Sequence, residues 1–345
     1  MKTFTLQSPA LGPGRIQLLD ELRGFAILLI LTYHICGVTG FPAMTHGELG
    51  VDIFVLLSGL SLAMSNRTDE SGGLFLWRRF ARLLPAYWVA LTLFWLGGVF
   101  LLGRVHHWPE IVSHYLCIHQ LWGDQYITSI NDSFWFLSLI TSLYVVFALL
   151  RPWMKRLDIV LGVGGLLTFL AAWVTYHYNQ PSLFTHYGLR PGMFFIGLVF
   201  GVMFHEGKAE IPLTPWLGLG VAIAIYGLFV TGLLIGYNVA GFSLFIAYWA
   251  IRANADEAAS RPLCRFLAWL GLYSYEIFLL HQPLIREYNF LVWQRYLGVP
   301  QPGPWQIALG VLVALAVTAW LSYELQNIAG MITRRLSPPK PATSA

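Results

Sequence analysis

Apolar runs recur through this 345-residue chain at about 22–39, 49–65, 85–103, 133–150, 158–176, 190–204, 215–235, 239–251, 264–285 and 305–325, parted by short segments rich in glycine, proline or charge. A helix of roughly 20 apolar residues crosses the hydrocarbon layer of a bilayer. The pattern therefore predicts an all-α, polytopic membrane protein with about ten transmembrane helices. Charged residues make up only 11% of the chain, where a soluble domain carries about a quarter. So little polar surface cannot solvate a globule of this length, and the same balance excludes disorder and a fibrous repeat. Runs 190–204 and 239–251 are short and hold Gly192, Gly197, Gly201 and Gly241, so they are expected to be tilted, broken or shielded by neighbours. The cysteines, Cys36, Cys117 and Cys264, are odd in number and scattered, which suits small apolar residues rather than a disulfide framework or a metal cluster.

Charge predicts direction, because cytoplasmic loops accumulate Lys and Arg. With the N-terminus inside, 17 of the 21 basic residues fall on the inner side, and only Arg104, Arg190, Arg286 and Arg295 fall outside. Both termini are therefore expected in the cytoplasm. Residues 1–18 read as a cytoplasmic N-terminal segment without the marks of a cleaved signal, 19–330 as the transmembrane domain, and 331–345 as a Pro-rich cytoplasmic tail. Histidines show the opposite bias, with His46, His106, His107, His114, His119, His177 and His186 in or near outer segments. Their spacing matches no metal motif, and an interfacial belt shared with Trp108, Tyr115 and Trp122 explains them better, so no metal is expected.

Ionisable groups inside apolar spans cost roughly 2.5 to 3.5 kcal/mol each on insertion scales, and each asks for a reason. Arg23 and His34 lie 11 residues apart in the first span. That is about three helical turns, or ~16.5 Å along one face. Arg23 belongs near the inner surface and His34 well inside the bilayer, where the cost of burying charge keeps an imidazole neutral as a base. A His hydrogen-bonded between helices is the plainer explanation. The segment Phe75 to Pro85 reads as an amphipathic helix at the cytoplasmic interface, with Arg79 and Arg82 three apart and Arg78 and Arg82 four apart. Three guanidinium groups converging there suit a polyanion, although the positive-inside rule and anionic lipid also favour them. Asp52 and His281 lie nearer the outside, and Glu276 and Glu324 are further acids within spans. Any of these could be half of a structural ion pair.

Together these segments resemble the integral-membrane acyltransferase-3 family. The likeness rests on Leu19-Asp20-Glu21-Leu22-Arg23-Gly24 followed by Tyr33-His34, on Gly50-Val51-Asp52-Ile53-Phe54 through Ser58-Gly59, and on Arg79 and Arg82 before Pro85-Ala86-Tyr87-Trp88. It continues with Leu270-Gly271-Leu272-Tyr273-Ser274-Tyr275 through Leu280-His281-Gln282-Pro283, and closes on Ser322-Tyr323-Glu324. The resemblance implies an enzyme of the bacterial inner membrane that moves an acyl group, commonly acetyl, from cytoplasmic acyl-CoA to a hydroxyl of a carbohydrate or glycoconjugate. It implies no nucleic-acid partner. In such an enzyme Arg23, Arg78, Arg79 and Arg82 would hold the phosphates of coenzyme A, and His34 would act as base or acyl carrier. Asp52 would assist catalysis, while His281, Ser274, Tyr275, Trp135 and Glu324 would orient or contact substrate. One departure stands out: after Phe134-Trp135-Phe136-Leu137-Ser138-Leu139, where many members carry a glutamate, this chain has Ile140, then Thr141 and Ser142. No hydrolase-like module is expected beyond the last helix. The rival reading is a multi-pass transporter or lipid-linked-sugar flippase, which an inverted repeat would favour; none is evident.

Overall fold

The computed structural model describes residues 17–41, 49–65, 70–122, 124–177, 190–205, 236–253 and 261–336. Among these residues the chain is helical throughout its regular structure and forms no strand. The principal helices are α1 (Gln17–Thr39), α2 (Leu49–Met64), α3 (Gly72–Leu102), α4 (Trp108–Tyr115), α5 (Trp135–Leu150), α6 (Leu157–His177), α7 (Arg190–His205), α8 (Gly236–Ala253), α9 (Pro262–Leu272), α10 (Ser274–Pro283) and α11 (Pro304–Leu336). Nine of the ten apolar runs are thus helical, and the run expected at 215–235 lies outside the described residues. Among the described residues four helices are long and apolar enough to cross a membrane unaided: α1, α3, α5 with its 3-10 extension to Trp153, and α11. The span expected over 264–285 is split, with α9 and α10 meeting at an angle of 74°. The last helix runs to Leu336, past the boundary expected at 330.

The basic segment before the third span is not a separate interfacial helix. It is the first turns of α3, a single helix of 31 residues. Such a helix is ~46 Å long, against roughly 30 Å of hydrocarbon, so it is long enough to cross the apolar layer with its basic turns to spare. Ser71 opens it by accepting the Leu74 N–H, and Gly103 closes it at φ 69°. Pro85 sits inside and cannot donate to the carbonyl of Ala81. That carbonyl instead accepts the hydroxyl of Thr333 on α11, at 2.8 Å. The helix stays continuous because a neighbour satisfies the freed group.

Two glycine crossings set the rest. On α2 and α7, a Cβ built on Gly59 would strike the carbonyl oxygen of Phe194, and one on Gly197 would strike that of Leu56. The short run over 190–204 is therefore shielded by α2, backbone on backbone, in the small-residue packing that lipid favours. On α1 and α9, Gly24 presses on the Leu267 carbonyl and Gly271 on that of Asp20. A cap between α3 and α5 closes one end of the bundle. Tyr87 of α3 donates to the carbonyl of His114 in that cap, and Asn131 donates to the carbonyl of Leu279 on α10.

Gly59→Ala and Gly197→Ala should each destabilise the protein by about 1 to 3 kcal/mol, the usual cost of overpacking. Gly73→Ala, where nothing stands within 4 Å of an added Cβ, should be neutral or stabilising. Thermal unfolding in detergent, compared across the three variants, checks this.

Candidate functional site

Two cavities open along α1. The one nearer the end of α1 expected to face the cytoplasm, hence the inner cavity, is about 520 Å³ and is lined by Arg23 of α1, Arg79 and Arg82 of α3 and Arg334 of α11, with Ser58, Ser61, Ser274, Tyr275 and Glu276. Its far end is apolar, formed by Phe54, Phe136, Ile140 and Phe278. Several of these groups are held in place. Arg23 donates to Asp20 at 2.8 Å and to Ser61 at 3.0 Å, and Arg79 donates to Ser65 at 3.1 Å. Ser274 donates to the Gly271 carbonyl at the break between α9 and α10, and Tyr275 donates to the Leu83 carbonyl of α3.

Arg78 points elsewhere. It pairs with Glu70 at 2.7 Å and lines a smaller cavity of about 290 Å³ with Phe75 and Arg151, which shares Arg79 and Arg82 with the inner cavity. The guanidinium groups of Arg79 and Arg151 lie over the Phe75 ring, at 5.5 and 5.2 Å.

The outer cavity, about 440 Å³, holds His34, Tyr33, Trp135, Thr128, Asp132, Ser133, Gln282 and Arg286 among its walls. Asp132 accepts from Gln282 at 2.8 Å and from Arg286 at 3.1 Å, and Ser133 donates to Gln282 at 2.9 Å. The His34 ring meets the His281 ring edge-on with centroids 4.9 Å apart. His281 is fully buried, and its Nδ1 faces the carbonyls of Ile277 and Phe278 at 3.0 and 2.9 Å. Carbonyls only accept, so Nδ1 carries the proton and Nε2 is left as an acceptor.

Of the residues singled out in the sequence, Arg23, Arg79, Arg82, Ser274 and Tyr275 thus share the inner cavity, while His34 and Trp135 share the outer one with His281 against its wall. Asp52 lies in neither. It is fully buried, 3.4 Å from Arg190, whose guanidinium lies 4.7 Å from the centre of the Trp135 ring. Glu324 is half-buried on α11 and lines neither cavity. Arg334, Asp132, Gln282 and Arg286 were legible only as a charge count or as motif neighbours. In the sequence α10 was marked by the motif ending Leu280-His281-Gln282-Pro283 and by the four-residue spacing of Ser274, Phe278 and Gln282, which Arg286 continues just beyond the end of the helix. Among the described residues no group of three or more His, Cys, Asp or Glu side chains could hold a metal.

A guanidinium-lined cavity thus lies at one end of α1 and a histidine-lined cavity further along it. Residues 16–323 match the acyltransferase domain model of the acyltransferase-3 family, and the chain belongs to that family of membrane acyltransferases. It is 27% identical over 351 residues to the peptidoglycan O-acetyltransferase OatA of Listeria monocytogenes, covering 89% of this chain and 54% of that one. It is 26% identical over 353 residues to the acyltransferase MdmB of Streptomyces mycarofaciens, covering 88% and 87%. The chain therefore spans about half the length of the first of these relatives. No solved structure matches it.

The cap that contributes Asp132 and Ser133 lies outside the spanning helices and has a buried imidazole pair at its centre. His114 and His119 stack with centroids 4.0 Å apart. Burial pushes His119 down to about 4, and burial together with the charge of His119 pushes His114 well below its ordinary value. Nearby, burial raises Glu110, but hydrogen bonds from Ser129 and His106 outweigh it and hold the carboxylate below its usual range. Both imidazoles are neutral in the folded cap and protonate when it opens. Their contribution to stability is complete above about pH 6.5 and declines as the pH falls toward 4. Hydrogen exchange over 106–134 should therefore accelerate at least tenfold between pH 7 and 4.5 after correction for intrinsic rates, with α2 and α7 little changed. His119→Phe should flatten that dependence.

Proposed function

We propose that this protein is a membrane-embedded O-acyltransferase that takes an acyl group, most simply acetyl, from cytoplasmic acyl-CoA and places it on a hydroxyl of a carbohydrate or glycoconjugate. The observation that carries the reading is the arrangement along α1: four guanidinium groups around one cavity, and the His34 imidazole in the next. Coenzyme A carries a pyrophosphate and a 3′-phosphate, and forked guanidinium donors suit those groups better than ammonium groups do. Arg23, Arg79, Arg82 and Arg334 bind the phosphates from the cytoplasmic side, with Arg78 and Arg151 beside them. The protein then sits in the bacterial inner membrane with both termini in the cytoplasm, as the distribution of Lys and Arg supports.

The acceptor occupies the outer cavity. Tyr33 and Trp135 offer flat faces on which a sugar ring stacks, and Asp132, Gln282 and Arg286 offer a hydrogen-bonding rim. His34 removes the proton of the acceptor hydroxyl, the oxygen bonds to the thioester carbon, and the carbon–sulfur bond breaks as the proton passes to the leaving sulfur. His281, with Nδ1 pinned by two carbonyls, positions the His34 ring by packing edge-on against it. The names of the peptidoglycan O-acetyltransferase relative and the other acyltransferase favour acyl transfer over transport.

With labelled acetyl-CoA and membranes that retain their acceptors, His34→Ala should lower transfer by ~10²- to 10⁴-fold, the range of a general base. Undiminished transfer would remove His34 from the mechanism, and absence of transfer by the unaltered protein would favour a transporter. Arg79→Ala with Arg82→Ala should raise the KM for acetyl-CoA by at least tenfold with a smaller change in kcat, and an unchanged KM would refute the donor site.

A further inference from the structure

The two cavities meet at one side chain. Phe278 is 4% exposed and contributes to the walls of both. Its ring lies 5.0 Å from that of Phe136 and 6.4 Å from that of Phe54, and both of these, with Ile140, face only the inner cavity. On its other side the His281 ring stands 5.8 Å away, and His34 follows at 4.9 Å from His281. Along the α10 stripe Phe278 is the one apolar member between Ser274 and Gln282. Phosphates and sugar hydroxyls gain nothing from three phenyl rings and an isoleucine, whereas a hydrocarbon tail does. The apolar group of an acyl-CoA is its acyl chain.

We infer that Phe278, backed by Phe54 and Phe136, is the wall against which the donor's acyl group rests, and that it restricts the enzyme to short acyl chains. The inference rests on the acyltransferase reading and adds a specificity-determining residue to it. The wall has a second effect. It narrows the passage between the two cavities, so that the carbonyl carbon meets the acceptor hydroxyl held beside His34 with little room for a water molecule next to it. If water replaces the acceptor, its oxygen bonds to the acyl carbon, the carbon–sulfur bond breaks, and a free carboxylic acid and the CoA thiol are released. A smaller side chain at position 278 admits both longer acyl chains and more of this hydrolysis.

The test uses the full chain in membrane vesicles that retain endogenous acceptors, with acetyl-, butanoyl- and hexanoyl-CoA as donors. Release of CoA thiol is measured alongside acyl transfer to the membrane fraction. In Phe278→Ala the ratio of kcat/KM for butanoyl-CoA over acetyl-CoA should rise at least tenfold, and the hydrolysed share of turnover at least threefold. Phe278→Leu should show a smaller shift, and Phe136→Leu, which enlarges the same wall from another helix, a shift in the same direction. A ratio within twofold of the unaltered protein in all three variants overturns the inference. So does complete loss of turnover in all three while thermal unfolding stays cooperative, since the side chains would then be needed for turnover whatever the length of the acyl chain. If the unaltered protein turns over none of the thioesters, the acyltransferase reading itself fails. If it does turn them over and the ratio does not move, only the wall is lost.

Discussion

The α1 helix must keep an arginine and an imidazole away from lipid on a segment that is otherwise apolar, and the rest of the molecule is arranged around that demand. In hydrocarbon an unpaired charge costs several kcal/mol, so Arg23 needs a carboxylate, a hydroxyl or water facing it. Asp20 one turn before it and Ser61 on α2 supply the first two. The close approach of Gly24 to Leu267 and of Gly271 to Asp20 brings α9 backbone to backbone with α1. That contact is possible only because neither glycine has a Cβ. It delivers the start of α10, with Ser274 and Tyr275, to the cavity that Arg23 lines.

The break between α9 and α10 is what makes one helix serve both cavities. A straight span in its place would present each face at a single lateral position. Bent by 74°, α10 instead runs past the inner cavity at Ser274 and Tyr275, past the partition at Phe278 and along the outer cavity at Gln282, with Arg286 following just beyond its end. The chain marks this break only weakly: Gly271 and the small Ser274 flank it, but no proline does.

Periodicity carried the helical architecture well, because a bilayer imposes apolar runs of fixed length, and nine such runs are helices among the described residues. The gathering of Arg23 with Arg79 and Arg82 around one cavity was legible through the family resemblance. What neither could carry is which way a side chain turns. Asp52 sits in a recognisable motif, yet its partner Arg190 lies 138 residues further along the chain, and only the α2–α7 crossing brings the two together. Arg78 is next to Arg79 in sequence and 100° away around the helix, which sends it to Glu70. The segment expected as an amphipathic interfacial helix before Pro85 runs on into the span, and the donor that takes up the carbonyl freed by the proline, Thr333, is 252 residues away from Ala81.

Two helices are much longer than the usual hydrocarbon layer is thick, with 31 residues in α3 and 33 in α11. At 1.5 Å per residue they reach ~46 and ~50 Å. Three of the arginines that line one cavity sit near the ends of this excess length, Arg79 and Arg82 on α3 and Arg334 on α11. The hydrogen bond from Thr333 to the Ala81 carbonyl ties the two overhangs together, so the arginine-bearing ends are braced by one another and not by the surrounding lipid.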